Sequence, residues 1–432
     1  MKIRSRHLKI ALVSCLLLAV AAAAGWKWGR PYYQARLELK AADEAEAHYK
    51  YAAAREHIVR AAKYWRRDGD VQLKAAHMCR RAGFPDEAKS YLDAARLLLG
   101  QPAVSLEQQL LAVQTSEAST FAEQTLYHRG ENEHDIRTLV FEAFIVAGLN
   151  NSRTIMVKEL ADKWLAEPTN DPRPWYWRGL AESLVGATSM DDLAIKDFSK
   201  AIEFDPDYDE ARSRLCKMLL LSAKNIPEAR KQYEIFLQRR PDSDEAMIGL
   251  GQCLAASGET DAARQRFDKA LEKAPKNVDA LRERGILALT EGHADQAEPI
   301  LRKAYELDPR DLAVSHNLID CLRRLGRDDE AKKLQEEHDK AVVRKTRMDQ
   351  LRKDYQEHPA DPNIMLEIGK LFLEWGGKEN EAIGLTWIID RALKANPKHV
   401  DSLNTLIDYL EKQGRPDKAA YFRRLLSEIE GK

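Results

Sequence analysis

Between Asp244 and Arg310 the chain matches itself at an offset of 34 residues. Gly251 answers to Gly285, Gly258 to Gly292, Ala263 to Ala297, Phe267 to Leu301, Ala270 to Ala304 and Pro275 to Pro309. A period of that length, with small residues and a closing proline in fixed slots, constrains the fold more than any total can. Each unit is one pair of helices too small to bury its own apolar face, so units must stack on their neighbours. Gly258 and Gly292 stand where a first helix ends, because glycine takes the left-handed conformation without a side-chain clash. Pro275 and Pro309 stop the second helix. Gly251, Gly285, Ala263 and Ala297 are small where two helix axes approach closely.

These slots resemble the tetratricopeptide repeat, and the resemblance extends over nearly everything after residue 40. Gly83, Ala88, Leu92 and Ala95 occupy the same slots in an earlier unit. Trp175, Trp177, Gly179, Ala194, Phe198, Ala201 and Pro206 fill another. Further units carry Ala229, Tyr233, Phe236 and Pro241, then Leu318, Leu322, Gly326 and Ala331, and last Leu406, Leu410, Gly414 and Ala419. The resemblance implies an all-α fold: an α-solenoid, a right-handed superhelix of antiparallel helix pairs, here preceded by one N-terminal transmembrane helix. The expected organisation is a basic flank at 1–9, a transmembrane anchor or signal helix at 10–26 and a linker at 27–40. An array of about nine repeats follows at 41–345, its last helix running on to about 357, and a C-terminal repeat pair and cap fills 360–432.

The anchor rests on the first forty residues. Lys2, Arg4, Arg6, His7 and Lys9 come with no acid, and Ile10 to Trp26 then contains no charge. Such a run reaches the short end of a membrane span, and Trp26 and Trp28 stand where interfacial aromatics sit. The denser basic flank places the N-terminus in the cytoplasm and the body outside, in a periplasmic or equivalent compartment. A cleaved signal peptide is the alternative, because Ala21 to Ala24 offers small-residue cleavage sites. Leu12-Val13-Ser14-Cys15 is similar to a lipobox, though most of the apolar run lies after the cysteine.

Lys plus Arg is 68 against 69 for Asp plus Glu, a balance that does not favour nucleic acid. None of the five cysteines forms a CxxC pair, which argues against a zinc ribbon or a thioredoxin-like motif. Cys79, Cys216, Cys253 and Cys321 read as buried thiols used as small hydrophobes, with a Cys216–Cys253 disulfide as the alternative. The eleven histidines are scattered, with no H-E-x-x-H, no G-x-S-x-G elbow and no Walker loop. The expectation is a protein without catalytic activity, cofactor or metal.

Binding is expected in the concave groove that first helices line in the resembling family. The inward slot gives Tyr176, Arg214, Ile248, Arg282 and His316 along successive repeats. The candidate groove residues are Tyr176, Arg214, Arg282, His316 and Asp320, a basic and aromatic column suited to an acidic or C-terminal peptide segment. The alternative is ordinary solvated groove residues. The family's carboxylate clamp is not reproduced. Trp164, Trp175, Trp177, Trp375 and Trp387 read as seam packing, with carbohydrate stacking as the alternative.

The expected function is thus a membrane-anchored, non-catalytic scaffold that binds partner proteins or peptides. The alternative is a component of envelope export or polysaccharide-secretion machinery binding a polymer or nascent chain. Specificity is expected where the pattern departs from the family: the lengthened turn at Ala187–Met190, the run-on helix from Asp328 to Glu357, and the Gly376-Gly377 turn. Within the run-on helix, Gln335 and His338 stand in slots that want apolar residues.

Overall fold

The computed structural model describes residues 32–151, 153–185, 188–222 and 225–431. The expected basic flank at 1–9, the membrane helix at 10–26 and the start of the linker lie outside them, as does residue 187 of the expected lengthened turn. Among the described residues no helix is long and apolar enough to cross a membrane. Every regular element described is a helix. The chain divides into two compact units, Met1–Lys224 and Asn225–Lys432.

Unit 1 contains α1 (32–47), α2 (Tyr51–Tyr64), α3 (Gly69–Arg81), α4 (Pro85–Leu99), α5 (Gln101–Gln114), α6 (Thr120–Asn132), α7 (His134–Asn150), α8 (Thr154–Leu165), α9 (Arg173–Val185), α10 (Thr188–Phe204) and α11 (Asp209–Lys217), the last continuing into a π-helical turn at Met218–Ser222. Helix α1 begins inside the stretch expected to be linker. Its Ala42 is fully buried in a cluster with Ala54, Ile58 and Ala61 of α2, so residues 32–40 already belong to the first helix pair. The pattern there was weak because alanine carries little of the periodic signal that larger apolar residues give. Leu110, Leu126, Val140, Ile145 and Val157 join α5 to α8 in one continuous core.

Unit 2 contains α12 (Ile226–Arg239), α13 (Asp244–Ala256), α14 (Thr260–Lys273), α15 (Val278–Thr290), α16 (Ala294–Leu307), α17 (Leu312–Arg324), α18 (Asp328–Glu357), α19 (Pro362–Trp375), α20 (Lys378–Thr386), a π-helical turn at Trp387–Ala392, α21 (Leu393–Ala395), α22 (Val400–Lys412) and α23 (Pro416–Glu430). The 34-residue match is α13–α14 followed by α15–α16. Ser243 and Asn277 cap the first helices by accepting from Ala246 N and Ala280 N at 3.2 and 3.0 Å, which satisfies one orphan donor at each N-terminus. Gly258 and Gly292 hold φ of 80° and 86°, and the next residue's N–H then reaches back to Leu254 O and Ala288 O at 2.9 Å. A Cβ on Gly251 would stand 2.5 Å from Phe267 Cε1. Helices α13 and α14 therefore touch only because that side chain is absent.

Helix α18 is 30 residues long, about 45 Å at 1.5 Å per residue. Ala331 and Leu334 of its first third complete the core of Leu318, Ile319 and Leu322 from α17. Met348 and Tyr355 of its last third pack with Met365, Ile368 and Leu371 of α19. The expected separation between the array ending with this helix and the pair at 360–432 is bridged in unit 2, because α18 belongs to both cores.

Candidate functional site

Among the described residues the buried charged side chains lie in unit 1, whereas the cations that line the cavity of unit 2 are exposed or half-buried, and how each set is paired separates support from candidate site. In unit 1, α3, α5, α7 and α9 present charged residues to one another. Arg81 of α3 gives Nε and Nη2 to both carboxylate oxygens of Glu142 on α7, at 2.8 and 2.7 Å. Arg173 of α9 reaches the same carboxylate at 2.6 Å and also holds Asp171 at 2.6 Å. Burial pushes the Glu142 carboxyl up, but the guanidiniums of Arg81 and Arg173 outweigh burial and hold it down at about 2. One layer earlier, Arg80 is 1% exposed and binds Glu107 at 2.5 Å and Gln114 at 3.1 Å. Burial again acts upward on Glu107, and Arg80 and His77 bring it to about 2.

The turn between α1 and α2 closes onto this interior. Tyr49 adopts φ of 58°, an uncommon conformation for a residue with a side chain. Its ring lies 5.2 Å from Tyr208 and 5.4 Å from the Arg173 guanidinium. Lys50 pairs with Asp209 at 3.6 Å, and His48 Nδ1 faces Asp205 Oδ2 at 3.5 Å. With Asp207 these two form the one His–carboxylate group among the described residues with metal-ligand spacing, all three within 4.8 Å. Asp205 also accepts from Asp207 N at 2.9 Å, as an ordinary turn residue does. The inner charges of unit 1 mostly bind each other.

Unit 2 differs. A cavity of about 470 Å³ opens along α18, between the end of α16, α17 and Trp375 at the end of α19. Its apolar lining includes Leu312, Ala341, Met348, Tyr305 and Trp375. Its charged lining is Arg310, Lys340, Arg344, Lys345 and Arg352 against Glu337 and Asp349. Arg310 pairs with Asp308 at 3.4 Å. Glu337 accepts from Tyr305 Oη at 3.2 Å. No ion pair or side-chain hydrogen bond engages Lys340, Arg344, Lys345 or Arg352 among the described residues, whereas Arg347 on the same helix pairs with Glu367. His338 occupies the slot that wants an apolar residue. Its Nδ1 is 2.8 Å from the hydroxyl of Ser315, a residue only 3% exposed. That polar pair borders the cavity where the regular repeat has apolar packing.

The five residues read from the sequence divide between the units. In unit 1, Tyr176 is only 8% exposed, packed 5.0 Å from Tyr208 and 6.0 Å from Phe198. It is therefore an interior residue rather than a groove contact. Arg214 is exposed on α11. In unit 2, Arg282 is held by Asp279, Glu283 and Asp311 at 2.8, 3.1 and 2.7 Å, which leaves it little charge to offer. Asp320 pairs with Arg324 at 2.7 Å. His316 is exposed, its ring 6.1 Å from that of His338, beside the cavity but not in its lining. The cations of the cavity mostly sit on α18, a second helix, whereas the inward slot of the repeat pattern lies on first helices. The one signal was the polar pair Gln335 and His338.

Cys79, Cys216, Cys253 and Cys321 are buried free thiols. Burial pushes Cys79 up to about 12 and Cys253 and Cys321 to about 11, which keeps them protonated and unreactive. Trp164 is 5% exposed and Trp387 meets Tyr355 edge-on at 5.1 Å, both as seam packing. Trp375 instead lines the cavity.

Two family models, each described as tetratricopeptide repeat, match the chain, one at residues 218–281 and 388–431 and the other at 288–354. No curated protein matches it. Among solved structures, the MamA protein of Desulfovibrio magneticus RS-1 is 19% identical over 40% of this chain and 95% of its own, with a TM-score of 0.36. YrrB, titled a TPR protein with an unusual peptide-binding site, is 22% identical over 48% of this chain and 96% of its own, TM-score 0.27. A human IFIT1 dimer with PPP-AAAA is 15% identical over 83% of this chain and 90% of its own, TM-score 0.41.

Proposed function

We propose, taking as premise the tetratricopeptide repeats at 218–281, 288–354 and 388–431, that this chain is a non-catalytic scaffold that holds partner proteins, anchored to a membrane through residues 10–26 with its repeat body exported. One observation carries the reading. The α18 cavity pairs an apolar wall with four cations, Lys340, Arg344, Lys345 and Arg352, that no ion pair or side-chain hydrogen bond engages among the described residues, an arrangement suited to an outside partner. The unit 1 interior supports it by contrast, since charges that mostly bind each other offer a partner little. The uncharged run Ile10–Trp26 behind a basic flank supports the anchor and its orientation. Export of a polymer by a secretion machinery is the second reading, favoured by the aromatic wall of Tyr305 and Trp375.

The test is a crosslinking purification of the intact chain from membranes, with a reporter fused at each end. A stoichiometric protein partner is expected, with the C-terminal reporter active only outside the cytoplasm. Recovery of no partner, or a cytoplasmic C-terminus, would overturn the scaffold or its orientation respectively.

A further inference from the structure

We infer that the α18 cavity seats a linear acidic peptide segment that inserts one large apolar side chain; this rests on the scaffold reading and gives its partner a chemistry. Lys340, Arg344, Met348 and Arg352 follow one another at four-residue steps along α18, and residues so spaced share a helix face. Lys340 to Arg352 covers about 18 Å of helix at 1.5 Å per residue. An extended peptide rises about 3.3 Å per residue, so about five or six residues match the row. Its carboxylates would meet two guanidiniums, whose planar forks accept a carboxylate in bidentate fashion.

Met348 is 2% exposed in the middle of the row. With Leu312, Ala341 and Trp375 it gives the cations an apolar floor and end wall. The cavity of about 470 Å³ lies inside the range of about 300–1,000 Å³ typical of ligand pockets. An anionic polysaccharide has carboxylates to offer but no large apolar side chain for that floor. A membrane surface is flat, and this site is recessed between helices. The near-neutral balance of 68 basic against 69 acidic residues does not favour nucleic acid. An acidic peptide with an apolar anchor answers both features of the lining.

The experiment is fluorescence anisotropy on the detergent-solubilised full chain. The probe is a fluorescein-labelled octapeptide of seven glutamates around a central leucine. Saturable binding is expected, weakening steeply as salt rises. Arg344→Glu with Arg352→Glu should weaken it at least tenfold. Lys332→Glu with Lys333→Glu, the same charge change on the same helix but outside the lining, should stay within about twofold. Replacing the central leucine by glycine should also weaken binding several-fold. Four results would each overturn the inference: no saturable binding, equal binding by the Arg344/Arg352 variant, equal binding of the all-glutamine peptide, or displacement by polygalacturonate as effective as by unlabelled peptide. If the membrane purification still recovers its partner with the Arg344/Arg352 variant, the scaffold stands and the cavity is the wrong site. If neither protein recovers a partner, the scaffold reading itself fails.

Discussion

Glu142 sits between Arg81 and Arg173 with its side chain 3% exposed. Removing the charge from one member of a buried pair leaves the others desolvated and uncompensated, at a cost of about 3–5 kcal/mol. Glu142→Gln should lose stability of that order at pH 7. Because the folded carboxyl is held down at about 2 and the unfolded one titrates near 4.3, its contribution is complete above the unfolded value and fades as pH falls towards 2. The gap between wild type and variant in urea denaturation should therefore narrow from pH 6 to pH 3. A gap that is constant or widens would show that the pair does not stabilise the fold in this way. Single residues were unevenly legible in the sequence. Gly251 could be read as a point of close helix approach because Gly285 repeats it one period later, and a Cβ there would indeed collide with the Phe267 ring. Tyr176 was misread, since an inward slot looks the same whether it faces solvent or, as here, Tyr208 and Phe198.

Helix α18 is where local pattern and long-range packing separate. Its extent, Asp328–Glu357, follows from a stretch with neither glycine nor proline to stop it. Its role does not follow, because its residues beyond the repeat, 346–357, look like a charged solvated face until α19 is seen to pack on them. Thr346 lies mid-helix, and proline there removes a backbone hydrogen bond and clashes with the preceding turn, at about 3 kcal/mol or more. Asp328 is the first helical residue, where proline is well tolerated. In chemical denaturation Thr346→Pro should destabilise unit 2 by that amount, and Asp328→Pro should change it by well under 1 kcal/mol. Equal effects would mean that the middle of α18 is not a continuous helix in solution. The cations of the cavity were invisible for the same reason: only the third dimension aligns Arg344 and Arg352 with Trp375.

Across the whole chain, repeat phase reports stacking between neighbours and nothing further. It could not report that residues 48–50 return to meet Asp205, Tyr208 and Asp209, since contacts so distant in sequence leave no periodic trace. Nor could it place the division at Lys224/Asn225, inside what reads as one repeat. The helical class was legible because glycine, alanine and proline recur at a 34-residue period, and partner chemistry was not, because it depends on which charges remain unpaired after folding. The central claim is that partners meet this protein at the α18 cavity. The most direct test places a photo-crosslinking phenylalanine analogue at Ala341, inside the cavity, or at Leu97, 86% exposed on α4 of unit 1, followed by irradiation of intact membranes. The account predicts a discrete covalent adduct to one partner from position 341 and none from 97; adducts from 97 alone, or the same adducts from both, would contradict it.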